Sequence, residues 1–204
     1  MTDAAPRIAP LPVDEWGEEE IAALRGAFPD RVVDGFLSPS SDARPLPNAL
    51  ATMLHHPALS GPWLAFNQVL LSDPALGHRA RELIVLRVAW RTRSPYEWAQ
   101  HVQLAPRFDI GREDIDAIAD GREAPTWTPL ERDLVAAVDQ LVDHFRIDDD
   151  TWARLAAQLD ERQLVEVAFV VGTYACLAML FNSAGIQLEA GIGGSDIPIP
   201  ARPD

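Results

Sequence analysis

After the break Ser72-Asp73-Pro74, the run Arg-Glu-Leu-Ile-Val-Leu-Arg-Val-Ala-Trp, extending to about Thr92, carries apolar residues nearly all round a helical wheel. A helix of that kind has to be enclosed by other elements. Glu82 lies inside it, sharing a face with Val85, Leu86 and Ala89, three, four and seven positions on. A second helix opens at Ser94 and stops around Arg107. It sets His101 four positions after Glu97, on one face with Trp98, Leu104 and Ala105. Charged side chains are rarely buried unless paired, so Glu82, Glu97 and His101 form the first candidate site.

The rest of the chain supplies the enclosure. Residues 1–14 are Pro-rich and read as an extended arm. Asp14 to Phe28 has Ile21, Leu24 and Phe28 on one helical stripe, closed by Pro29. Asp30 to Pro47, with Gly35, Pro39, Pro45 and Ser38-Pro39-Ser40-Ser41, reads as mostly loop. Short helices follow Pro47 and Pro57, the latter running to Leu71. Further helices are expected over Arg112–Ala119, from Thr128-Pro129-Leu130-Glu131 to Phe145, after Asp148, and from Asp160 to Asn182. No strand alternation and no solenoid period emerge. The expectation is an all-α, compact helical domain of about eight helices over residues 15–190, with residues 191–204 as a C-terminal loop.

Length permits one domain with a sizeable core. The formal charge is −14, from 31 acidic and 17 basic residues. That balance argues against nucleic acid or an anionic membrane surface as partner. The single cysteine, Cys176, excludes an intramolecular disulfide and fits a cytoplasmic setting. Val167–Phe181 is an apolar run of fifteen, short of the roughly 18–20 residues of a membrane span, and reads as a buried helix, core or subunit interface.

The run RELIVLRVAWRTRSPYEWAQH, then VQLAPRFDIGREDIDAI, WTPLERDLVAAVDQL and DERQLVEVAFVVGTYACLAML, resembles the carboxymuconolactone decarboxylase family, which includes the alkylhydroperoxidase D-like proteins. The resemblance covers roughly residues 45–190. It implies an all-helical, oligomeric protein (dimer, trimer or hexamer) with its site on the two helices above. In the peroxidase-type branch the pattern is Glu-x11-Cys-x2-Cys-x3-His. Laid on this chain, Glu82 and His101 match, while the cysteines fall on Ser94 and Glu97. A dithiol peroxidase needs an attacking and a resolving thiol; Ser and Glu supply neither.

The decarboxylase branch works without those cysteines. Glu97 and His101, in reach of each other, suit an acid/base pair, with Glu82 orienting them and Tyr96 as proton donor to an oxyanion. The expected reaction is cofactor-free proton transfer on a small carbonyl or lactone substrate. The alternatives are a peroxidase-type activity carried by family label and a non-catalytic helical oligomer. On that last reading, Ser94-Pro95-Tyr96-Glu97 is a capping box like Thr128-Pro129-Leu130-Glu131, His101 bonds Glu97 or a carbonyl, and Glu82 pairs with Arg79 or another arginine. No metal is expected: His55 and His56 point to different sides of a helix, and apart from Glu82 and scattered Asp residues His78 and His144 lack close acidic partners at helical spacing. Gly191-Ile192-Gly193-Gly194 is a phosphate loop only in outline, with no strand before it.

Overall fold

The computed structural model describes residues 5–38, 46–189 and 198–201. Its regular elements are all helical, ten α-helices and three 3-10 turns, with no strand among the described residues. They divide into two compact units: the described residues of Met1–Ser72 with Ser183–Ile192, and those of Asp73–Asn182 with Gly193–Asp204.

The first unit holds α1 (Glu18–Arg25), α2 (Asp30–Leu37), α3 (Asn48–Met53) and α4 (Pro57–Ser72). Leu24, Val33, Leu54 and Leu64 are its buried centre. Gly61 on α4 lets the helices close, because a Cβ there would sit 3.2 Å from the Ala23 Cα of α1. The arm is tied by its backbone: the Arg7 amide donates to the Ala184 carbonyl at 2.7 Å and the Leu11 amide to that of Ala51 at 3.2 Å.

Helix α2 corrects the loop expected from Asp30. Pro29 holds the extended cap conformation and starts it. Arg25 then grips Asp30 at 2.5 Å and Asp34 at 2.6 Å, two carboxylates one turn apart. Gly35 is tolerated within it for about 1 kcal/mol. This helix helps raise the count from about eight to ten. The expected loop continues through residues 39–45, and the Gly191–Gly194 stretch lies in 190–197; both fall outside the described residues.

The second unit is built on α5 (His78–Thr92), followed by α6 (Pro95–Leu104), α7 (Arg112–Asp120), α8 (Pro129–His144), α9 (Asp149–Ala156) and α10 (Glu161–Ala184), which belongs to this unit as far as Asn182. Every residue from Arg81 to Trp90 is buried, as the all-round apolar wheel requires. Leu83, Leu86 and Trp90 of α5 meet Trp98 and Val102 of α6, Ile115 and Ile118 of α7, and Val135 of α8.

Two arginines of α5, Arg87 buried and Arg79 about a third exposed, bind neighbouring helices. Arg87 takes both oxygens of Asp139 at 2.8 and 2.7 Å and also donates to the Ile118 carbonyl. Gly121, at φ 69°, passes so close that a Cβ would lie 3.0 Å from the Arg87 guanidinium. Arg79 spans Asp114 at 3.0 Å and Glu131 at 2.7 Å. It is therefore not the partner of Glu82.

Helix α10 runs as expected, with bounds within two residues of Asp160 and Asn182; by length and composition it could cross a membrane, and half of its most apolar stretch is buried. Its inner side is pinned by polar contacts: Glu166 accepts from the Ala75 and Leu76 amides at 2.8 and 3.0 Å, and Gln163 donates to the Ala75 carbonyl at 2.9 Å.

Candidate active site

Helices α5 and α6 are joined by Arg93 in the left-handed conformation (φ 54°, ψ 44°) and Ser94. This short link folds α6 back on α5 and brings Glu82 to His101. The His101 Nδ1 lies 2.6 Å from Glu82 Oε1. A carboxylate only accepts, so Nδ1 carries the hydrogen and Nε2 is the nitrogen left to exchange a proton. The other Glu82 oxygen accepts from Arg81 at 3.0 Å. Arg81 in turn donates from its other terminal nitrogen to the Tyr174 hydroxyl at 3.3 Å. Tyr174, on α10, sets its ring edge-on to His101 at 5.2 Å. The chain of contacts thus runs from Tyr174 through Arg81 and Glu82 to His101.

Burial gives these contacts their weight. Glu82 has no solvent exposure, and Arg81 is equally enclosed. A lone carboxylate at such depth costs several kcal/mol; Arg81 and the imidazole supply the compensation. The His101 side chain, 12% exposed, is where this cluster reaches solvent.

Glu97 behaves differently. It is 1% exposed, and neither carboxyl oxygen has a hydrogen-bond partner. The capping box of the non-catalytic alternative does not form, because the Ser94 amide is already used: it donates to the Ala89 carbonyl at 3.0 Å, closing the end of α5. Thr128 shows the contrast, its amide donating to Glu131 at 2.9 Å. With its cap partner taken, Glu97 turns inward. Burial pushes its carboxyl well above the usual carboxylate range; proximity to the Ser94 hydroxyl opposes part of that rise and the Glu82 charge adds to it. Glu97 is thereby biased toward a neutral carboxylic acid. The Nε of Arg81 and the Ser94 hydroxyl are also buried without a hydrogen-bond partner.

The structure therefore brings Glu82 and His101 into direct contact and leaves the expected Glu97–His101 pair unformed. Tyr96 packs edge-on to Phe181 of α10 at 5.2 Å. Its place beside His101 is taken by Tyr174, whose phenol burial holds well above its usual range. Arg81 and Tyr174 were not among the residues singled out by spacing. Among the described residues no group of three His, Cys, Asp or Glu side chains is arranged to hold a metal. Cys176 is exposed on α10.

Residues 57–140, from α4 into α8, match the carboxymuconolactone decarboxylase family. Over that segment the chain is similar to the carboxymuconolactone decarboxylase family. Glu82, Ser94, Glu97 and His101 lie inside the matched segment, and Tyr174 lies beyond it. Solved structures share the fold of this chain. An uncharacterized peroxidase-related protein from Ralstonia eutropha JMP134, with an alkylhydroperoxidase AhpD core, aligns over 93% of this chain and 96% of its own at 18% identity and a TM-score of 0.69. The debrominase Bmp8 aligns over 91% and 93% at 16% identity and a TM-score of 0.68. A protein of unknown function from Agrobacterium tumefaciens, linked by name to AhpD antioxidant defence, covers 65% of this chain and 91% of its own at 22% identity and a TM-score of 0.59. No curated protein matches the sequence.

Proposed function

We propose that this protein is a thiol-independent acid–base enzyme acting on a small carbonyl or lactone compound. The observation that carries the reading is the buried Glu82–His101 contact at 2.6 Å, backed by Arg81. Glu82 fixes the imidazole so that Nε2 takes a proton from carbon next to a carbonyl. The neutral Glu97 carboxyl gives its proton to the oxygen on which negative charge develops, and returning both protons completes an isomerisation or prepares a lyase step. The leftover polar atoms of Glu97, Ser94 and Arg81 support a bound molecule as their missing partner, since buried polar groups ordinarily find one.

Dithiol peroxide reduction is disfavoured by the sequence itself. Ser94 and Glu97 stand at the two thiol positions, and Cys176 is the sole cysteine. A silent structural cluster is the competing reading, and the depth of Glu82 and Glu97 favours it.

The deciding experiment follows deuterium from heavy water into the α-carbon of a panel of small 1,3-dicarbonyls and γ-lactones by NMR. Exchange above the buffer rate, lost in His101→Ala and reduced at least tenfold in Glu97→Gln, is the expected result. A panel that exchanges only at the buffer rate, or exchange indifferent to His101→Ala, sinks the proposal in favour of the structural cluster.

A further inference from the structure

The C-terminal end of α5 meets a late segment of the chain. Trp90 and Arg93 stand three positions apart, on one side of that end, and both aim a donor at one backbone oxygen. The Trp90 indole Nε1 donates to the Pro200 carbonyl at 3.1 Å and an Arg93 terminal nitrogen to the same carbonyl at 2.5 Å. Two donors occupy both lone pairs of that oxygen. Ile199, the residue before it, packs against the core shared by α5, α6, α7 and α8. The Arg87 guanidinium lies over the Trp90 ring at 4.4 Å from its centroid, so the contact rests on a side chain that is itself held.

The segment suits this berth. Pro198 and Pro200 carry no N–H that would need a partner, and Pro200 keeps Ile199 in an extended conformation. A segment stiffened in advance gives up little freedom on docking.

Arg93 is the less expected member. Its φ of 54° is left-handed, where glycine or asparagine usually closes a helix. A bulkier residue there is strained and persists only where its surroundings hold it. The Pro200 carbonyl supplies such a hold. The same link carries the Ser94 amide bond to Ala89, the Asn182 side-chain bond to the Thr92 carbonyl and the Trp98 amide bond to the Ser94 carbonyl, each at 3.0 Å. The direction of α6 is therefore set here.

We propose that Pro198–Pro200 is a strap that clamps the α5–α6 link through Trp90 and Arg93 and so holds His101 on Glu82. Trp90 and Arg93 are then positioning residues, acting through α6. His101 lies eight positions after Arg93, about 12 Å along a helix at 1.5 Å per residue. A tilt of about 10° at the link moves the imidazole by about 2 Å over that lever, enough to break its 2.6 Å contact with Glu82.

Two variants of the full chain release the strap by different routes. Ile199→Asp puts a charge where the segment packs. Arg93→Gly removes the guanidinium while suiting the left-handed backbone better than arginine does. In both, amide hydrogen exchange should quicken at least tenfold at Ser94 and Trp98 and stay at the parent's rate in α9. The ring ¹⁵N signals of His101, which in the parent report the hydrogen on Nδ1, should move toward the average of the two tautomers. Link exchange and ring signals that match the parent in either variant overturn the strap. Faster exchange that includes α9 overturns it as well, because the segment would then hold the whole unit and not the link. The kinetic consequence, a loss of deuterium uptake of at least tenfold in both variants, rests on the proton-transfer reading of His101. A parent without uptake refutes that reading alone, since exchange and ring signals judge the strap with no substrate present.

Discussion

The charge state of Glu97 is under the control of its burial. Its folded pKa is raised from an ordinary 4.5 by burial first, with Glu82 adding to the rise. The folded state therefore holds a proton that the unfolded chain releases above about that pH. Glu97 costs no stability below it and progressively more as the pH climbs toward the folded value. Glutamine keeps the shape and cannot ionise. Glu97→Gln should therefore unfold at a higher urea midpoint than the parent at pH 8, by about 1.4 kcal/mol for each unit of the rise, and at the same midpoint near pH 4.5. Equal midpoints at pH 8 would show that Glu97 carries no such penalty. Glu82→Gln should do the reverse at neutral pH, costing about 3–5 kcal/mol by leaving Arg81 as an uncompensated buried charge. A loss under about 1 kcal/mol in urea titration would mean Arg81 has another partner. Helical spacing exposed Glu82, Glu97 and His101 because it reports which residues share a face of one helix. It could not join His101 to Tyr174, 73 positions on and on a different helix, nor tell that Arg81, beside Glu82, would bend round to the carboxylate.

Between elements, the decisive quantity is where backbone amides go. Thr128-Pro129-Leu130-Glu131 and Ser94-Pro95-Tyr96-Glu97 open their helices alike, with Thr for Ser at the cap and Leu130 in place of Tyr96. Thr128, with ψ 162°, accepts from the Glu131 amide. Ser94, with ψ 94° and its amide committed to Ala89, caps nothing. Thr128→Ala should accordingly cost about 1 kcal/mol, whereas Ser94→Ala should be neutral or slightly stabilising, because it deletes a buried hydroxyl that has no hydrogen-bond partner. Comparable losses in chemical denaturation would restore a capping role to Ser94. The start signals of α6 and α8 were legible because they are local. The fate of the Ser94 amide was not, since it depends on α5 ending in a left-handed residue that the sequence marks only as arginine. Helix α2 was hidden for a similar reason: Gly35 and the nearby prolines signal a turn, and the bonds from Arg25 to Asp30 and Asp34 that oppose it come from the preceding helix.

On the scale of the whole molecule, the all-α class was legible because period 3.6 recurs in almost every segment, while stability against pH depends on groups pulling in opposite directions. The net charge of −14 repels itself at neutral pH, and Glu97 adds its own penalty there; both ease as the pH falls. Against them stand Asp114 and Glu131. Despite partial burial, bonds from Arg79 and from the amides of Gly111 and Thr128 hold both carboxyls below their ordinary values of 3.8 and 4.5. A lowered pKa contributes stability above the unfolded value and loses it as the pH falls through the folded one. Below about pH 4.5 these two therefore begin to let go of Arg79, and with it the tie from α5 to α7 and α8. The sum of the two slopes is a maximum in the weakly acidic range. Urea midpoints measured from pH 3.5 to 8.5 should rise on lowering the pH from 8.5, peak between about pH 5 and 6, and fall below 4.5. Glu97→Gln should flatten the alkaline limb and leave the acid limb unchanged, whereas Arg79→Met should flatten the acid limb. A parent whose midpoint climbs steadily to pH 8.5 would mean that neither self-repulsion nor the buried Glu97 governs its stability.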